Sequence, residues 1–401
     1  MNKRFTLVFV LFFIFTAPIF SQVKSKVNKE KVKKEDRILK RSVKKGNKSL
    51  KNVEDNKALK NTAIRRTSDV YVQEIPSSPP GVVQVETAIP AFIGYTEKGP
   101  DVPTQISSMA DYMNIFGGPS NDEIGEFEID YDGNITSPST LATPQYRMYY
   151  MLEMFFANGG GDCFIISVGH YSDDRYSVKN DEMQDGLALL NHEDLPTLIL
   201  FPDATSSKNR DDPTDLYKAA LAQCAARKDR FLICDVEEID NDISRSAEEF
   251  RTSMGTNNLE FGAAYFPSLQ TSLNYNYSED KIQVKLKEND KTLVLKHTEE
   301  SISEDSDKTE ESLYHAENGI YRDSYQEINN IIHAKKLELP PSAAIAGVYA
   351  NVDATRGVWK APANVSLNMV QAPKLEIDDN AQENLNVSST GKSINAIRSF
   401  S

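Results

Sequence analysis

The sequence predicts an α/β protein (α+β overall) with a central, mostly parallel sheet, flanking helices, a β-rich N-terminal arm and a surface insertion. Three observations predict it. Four short apolar runs, 163–168, 197–201, 231–236 and 261–266, alternate with stretches of helical periodicity, the pattern of βαβ units whose strands are buried on both faces. Start and stop residues punctuate the helices between them. A chain of 401 residues is long enough for two or three domains and a sizeable core.

The elements follow in order. Residues 1–22 open with Lys3 and Arg4 and continue almost wholly apolar from Phe5 to Phe20, which reads as a signal peptide or a membrane anchor. Residues 23–68 form a basic linker with Lys or Arg at about every third position. Its apolar residues are too sparse for a core face, so it reads as disordered or loosely helical, a solvated tether rather than a docking element for an anionic surface. Residues 69–143 form a β-rich arm and segment. Val70, Tyr71, Val72, Gln73, Glu74 and Ile75 alternate as a strand, Pro76, Pro79, Pro80 and Gly81 break it, and 82–95 is a second β-rich run. Ser107 or Ser108 caps a short helix that runs to Phe116 and stops at Gly117-Gly118-Pro119.

Residues 144–273 form the α/β core. Pro144 starts a helix carrying Tyr146, Tyr149, Tyr150, Leu152, Met154 and Phe155, which Asn158-Gly159-Gly160-Gly161 stops. Helices follow over 183–190, from Asp212 or Thr214 to Arg227, and over 246–254. Residues 274–318 read as an acidic surface insertion, with a hairpin of 281–287 against 292–296 and a Ser-rich acidic stretch over 299–311. Residues 319–401 are a mainly helical part. An amphipathic helix over 321–336 uses Tyr325, Ile328, Ile331 and Ile332, a strand lies over 375–377, and Asp378 or Asp379 caps a helix to Leu385. Pro340-Pro341 precedes an alanine-rich helix for which Ser342 is the natural cap and Gly357 the stop. Small residues there let another backbone approach. Trp359, the single tryptophan, follows beside Lys360, and composition favours a core plug over a contact anchor.

No constellation for catalysis or metal binding emerges. Cys163, Cys224 and Cys234 have neither disulfide-framework nor metal spacing and read as buried thiols. His170, His192, His297, His315 and His333 are dispersed. Gly159-Gly160-Gly161-Asp162 follows a helix and precedes a strand, the reverse of a phosphate loop. G-x-S-x-G, H-E-x-x-H and C-x-x-C are absent from the sequence. Asp203 and Asp235, at or just past strand ends where α/β enzymes keep acids, are the best argument for an enzyme, and a weak one because such loops are commonly Asp-capped. The net charge of −14 gives no reason to expect nucleic acid, and no cofactor or metal is expected.

Four segments in order carry a family resemblance. They are VYVQEIPSSPPGVVQVETAIPAFIGYTEKGP (70–100), FFANGGGDCFIISVG (155–169), AGVYANVDATRGVWKAPAN (346–364) and INAIRSF (394–400). Together they resemble the contractile tail sheath proteins of phages and phage-tail-like injection systems. The matching positions are Gly94, Gly99, Pro100, Gly347, Tyr349, Asp353, Gly357, Trp359, Lys360, Pro362, Asn364, Asn395 and Arg398. The resemblance frames residues 69–400 but omits the first 67 residues and the acidic stretch. It implies a non-enzymatic subunit that polymerises around an inner tube and contracts to drive it through a membrane. Its partners would be itself, a full-length sheath protein, the inner tube protein and baseplate components, with membrane contact possible only through residues 1–66. It also implies that Val70 to Ile75 are a donor strand for a neighbouring subunit. Sheath proteins usually continue past the last motif into the acceptor for such arms, so the resemblance implies a shortened chain that assembles poorly by itself. They also assemble in the cytoplasm, at odds with a signal peptide.

Overall fold

The computed structural model describes residues 87–122, 124–138, 144–171, 177–206, 211–296, 311–388 and 390–399. The expectations for the signal peptide, the basic linker and the strand over 70–75 lie outside these residues, as does almost all of the acidic stretch.

The described chain begins with β1 (Pro90–Thr96), β2 (Thr104–Ile106) and helix α1 (Met109–Phe116). Ser108 caps α1 by accepting the Asp111 amide, and Gly117 closes it at φ 91°, both as expected. Two short strands follow, β3 (Phe127–Ile129) and β4 (Ile135–Thr136). Next come helix α2 (Met148–Ala157), β5 (Cys163–His170), helix α3 (Asn180–Leu189) and β6 (Leu198–Leu200). Helix α4 (Pro213–Arg227), capped by Asp212, leads to β7 (Phe231–Asp235), and helix α5 (Ile243–Ser253) leads to β8 (Gly262–Phe266) and β9 (Leu269–Thr271). The hairpin β10 (Gln283–Leu286) and β11 (Lys291–Val294) precedes helix α6 (Arg322–Ala334). The last elements are β12 (Glu338–Leu339), helix α7 (Ser342–Arg356), β13 (Val370–Pro373), helix α8 (Asp379–Asn386) and β14 (Ile394–Ala396).

The fold is α/β. Its main sheet has seven strands in the order β14-β8-β7-β6-β1-β5-β2, and every pairing is parallel except that of β2 with β5. β1 lies at the middle of this sheet and every one of its residues is buried. Its side chains alternate between two cores. Ala91, Ile93 and Tyr95 join the face covered by α3, α4, α5 and α8, whereas Phe92 joins the face covered by α1, α2 and α7. The second face packs the expected aromatics of α2 against the small residues Ala343 and Ala346 of α7.

The expected hairpin forms, and its strands are shared with the chain far upstream. β10 pairs parallel with β3, giving a second sheet of order β11-β10-β3-β4 whose core includes Phe127, Val284, Leu286 and the buried Ile328 and Ile332 of α6. A third sheet, β12-β9-β13, rests against Tyr150 and Met154 of α2. β3 is only three residues long, and that pairing left no local mark in the sequence.

Several boundaries differ from the sequence expectation, each for a tertiary reason. The run over 82–95 becomes a strand only at Pro90, where partners on β5 and β6 begin. The helix expected at Pro144 starts at Met148, because the amide of Arg147 at its start is held by the distant Asp203 and not by a local cap. The strand expected over 375–377 is instead β13, since pairing with β9 ends where Pro373 meets Leu269. Leu375 and Ile377 still pack on the first core, as loop residues. Ser342 is not the cap of α7. It is the first residue of the helix and itself donates to Asp235.

Candidate functional site

The two acids singled out at the strand ends are fully buried and fully occupied. Asp203 accepts the amides of Tyr95, at the end of β1, and Arg147, at the start of α2, at 2.9 and 2.6 Å. Asp235, the last residue of β7, accepts the Ser342 amide at 2.8 Å and the Ser342 hydroxyl at 2.6 Å. Each carboxylate thus ties a sheet strand to the N-terminus of a helix on the second face, where unsatisfied amides and the helix dipole favour negative charge. Burial pushes both acids up to about 6, and the hydrogen bonds and the Arg147 guanidinium oppose that rise. Arg147 is buried as well; it donates to the Pro144 carbonyl and the Thr205 hydroxyl, and desolvation pushes it below its usual range. The position that suggested catalysis is filled by fold-holding contacts.

The signature residues divide into buried spacers and an exposed loop. Gly94 is a spacer: a Cβ there would lie 2.5 Å from Asp203 Oδ2, so the glycine clears the path by which Asp203 reaches Tyr95. Gly99, at φ 123°, lies against the Phe116 ring, which a Cβ would meet at 2.5 Å, and the adjoining Pro100 is exposed. Gly347 sits where α7 crosses α2; a Cβ would stand 2.4 Å from the Phe155 carbonyl oxygen. Tyr349 shares a hydroxyl–hydroxyl hydrogen bond of 2.7 Å with Tyr265 of β8. At the far end of the chain Asn395 donates to the Ala264 carbonyl at 3.1 Å, and Arg398 pairs with Asp379 at 2.8 Å.

The remaining signature residues form a fixed, outward loop. The amide of Gly357, at φ 89°, donates to the Val352 and Asp353 carbonyls and ends α7. The Lys360 amide donates to the Gly357 carbonyl, and Asn364 holds φ 56° in the left-handed region. The loop returns at Asn368, whose amide donates to Asn158 Oδ1 at 2.7 Å and whose side chain donates to the Ala157 carbonyl at 2.9 Å. Asn158 is 3% exposed and closes the C-terminus of α2, so both ends of the loop are anchored. Between the anchors Trp359 is 81% exposed and Val358 67% exposed, and Pro362 is half-buried. This corrects the core-plug expectation: the tryptophan lies outside every buried cluster. Local sequence could not reveal this, because the α2–α7 crossing that would have received an aromatic is already filled to backbone contact at Gly347.

The three cysteines are buried and free, with burial pushing each thiol up, so they are poor nucleophiles as they stand. Among the described residues no group of histidine, cysteine and acid side chains is placed to hold a metal ion. No described helix is long and apolar enough to cross a membrane.

No family model and no curated relative matches the sequence. Among solved structures, the chain is similar to the sheath complex of an extracellular contractile injection system (PVC) in the contracted state. The TM-score is 0.47 at 23% identity, over 85% of this chain and 64% of that one. It is also similar to a chain of the anti-feeding prophage (AFP) baseplate, at TM-score 0.45 and 24% identity over 84% and 66% of the two chains. The AFP helical sheath in the contracted state gives 0.45 and 23% over 84% and 66%. The chain therefore spans about two thirds of the length of these structures' chains.

Proposed function

We propose that the chain is a structural subunit of a contractile sheath, associating with itself or a longer sheath protein around an inner tube and contracting to drive that tube through a membrane. The observation that carries this reading is the division of the signature residues. Those that are buried hold the α2–α7 crossing and the strand ends, and those that are exposed build a rigid loop presenting a bare tryptophan. That is the arrangement of an association surface on a stiff body. The enzyme reading is not favoured, because both of its acids are engaged as helix-start acceptors. On the sheath reading Val70, Tyr71, Val72, Gln73, Glu74 and Ile75 serve as a strand donated to a neighbour, whose backbone would supply the hydrogen bonds. The inner tube protein and baseplate components are the remaining partners. Contraction needs no nucleotide, cofactor or metal on this view, since the work is stored in subunit packing.

The test is sedimentation with negative-stain microscopy on the full chain, alone and mixed with a longer sheath protein from the same cell. Tubes or co-assembled tubes support the reading. A monomer in both samples overturns it.

A further inference from the structure

We infer that Trp359 of one copy seats in the groove between α5 and α8 of a second copy, forming a head-to-tail contact. The inference takes from the sheath reading only the identity of the partner as another copy of this chain.

The donor side is preorganised. Trp359 and Val358 project from a loop tied at Gly357 and Asn368, so little conformational freedom remains to be lost on binding. The exposed Arg356 and the half-buried Lys360 flank the indole, and neither forms an ion pair among the described residues. The acceptor side is a groove of about 580 Å³ on the other face of the main sheet, within the rough 300–1,000 Å³ span of clefts that hold compact ligands. Ala247 and Leu385 form its apolar floor, Ile243 contributes to its wall, and Val387, 70% exposed, stands on its rim.

Charge matches across the contact. Two cations lie in the groove, Arg251 and Lys392, and both are directed at backbone carbonyls: Arg251 donates to Lys392, Asn384 and Leu385, and Lys392 donates to Arg251. Glu248 on the same wall is exposed and has no ion pair among the described residues. It is thus available to the Lys360 and Arg356 that accompany the incoming indole. Donor and acceptor lie on opposite faces of one sheet. A contact between them is therefore heterologous, and it can propagate from copy to copy instead of closing as a symmetric pair.

The single tryptophan is its own reporter. Trp359→Ala removes the donor and leaves a chain without indole fluorescence; Glu248→Lys spoils the acceptor and keeps the indole. Both positions are exposed, so circular dichroism should find each variant folded like the wild type. Concentrating the wild-type full chain should move the tryptophan emission to the blue and protect it from acrylamide. Glu248→Lys should need more than about tenfold higher concentration for the same shift. Adding dark Trp359→Ala chain to Glu248→Lys should restore the shift and saturate at one partner per tryptophan. Adding the double variant Trp359→Ala/Glu248→Lys should not. No shift in the wild type, or equal shifts with the single and double variants as partner, overturns the inference. Wild-type tubes whose tryptophan stays exposed would defeat this contact and leave the sheath reading standing. A saturable shift without tubes would do the opposite.

Discussion

Replacing Gly347 by alanine tests the α2–α7 crossing directly. On an exposed helix this change would stabilise by about 1 kcal/mol, because glycine is the poorer helix former. Here the new Cβ would lie 2.4 Å from the Phe155 carbonyl oxygen and its nearest side-chain neighbour, Asn158 Cβ, is only 2.9 Å away. The nearest obstacle is backbone, so no rotamer change can clear it. Ordinary contact requires the helices to part by about 1 Å, a gap that forfeits a quarter to a half of the dispersion well for each separated pair. That loss falls on an interface packing Leu152 and Phe155 around Ala343 and Ala346. Overpacking of this kind costs about 3 kcal/mol at the upper end of its usual range. Offset by the helix-propensity gain, the net destabilisation is about 2 kcal/mol, or roughly 4–8 °C in midpoint for a domain of this size. Urea and thermal denaturation of the full chain, with Gly161→Ala alongside, measure it. Gly161 has nothing within 4 Å of its would-be Cβ, so that control should stay within roughly 0.5 kcal/mol of wild type. A Gly347→Ala chain as stable as wild type, or more so, would refute the close crossing.

Asp235→Ala leaves the buried Ser342 amide and hydroxyl without their acceptor, and each orphaned donor costs about 1–3 kcal/mol, so unfolding should shift far more than for a surface aspartate such as Asp240. Asn158→Ala removes the clamp on Asn368, and limited trypsin digestion should then cut faster at Arg356 and Lys360 while the core resists as before. The pH dependence should run opposite to the common acid-denaturation pattern. Burial lifts Asp203 and Asp235 to about 6 and Asp122 to about 7, above their values in the unfolded chain. The folded state therefore holds protons that the unfolded state has released. The stability these groups contribute is fully present below about pH 4 and is lost as pH rises through 6 to 7. Denaturation midpoints should fall from pH 5 to pH 8, and Asp122→Asn should flatten the upper part of that decline.

Much of this architecture was legible in the sequence. The apolar runs at 163–168, 197–201, 231–236 and 261–266 became β5 to β8 because residues buried on both faces must be apolar throughout, whatever their partners. Ser108, Asp212 and Asp378 capped their helices, and Gly117 and Gly357 stopped theirs, because those bonds close within a few residues. The small residues of α7 announced a close neighbour.

Tertiary structure alone decided the rest, since it depends on groups far apart in the chain. Asp203 and Asp235 read equally as catalytic acids or as caps until Tyr95, Arg147 and Ser342 were seen to occupy them across 56 to 108 positions of sequence. β3 was invisible because three residues make a strand only beside Val284 to Leu286. Trp359 was misplaced for the same reason. Its residue type favours burial, but burial needs a vacant pocket, and the crossing beside it is closed by Gly347. Composition and local spacing determined which segments become strands and helices; the filling of space between distant segments determined which signature residues remain exposed.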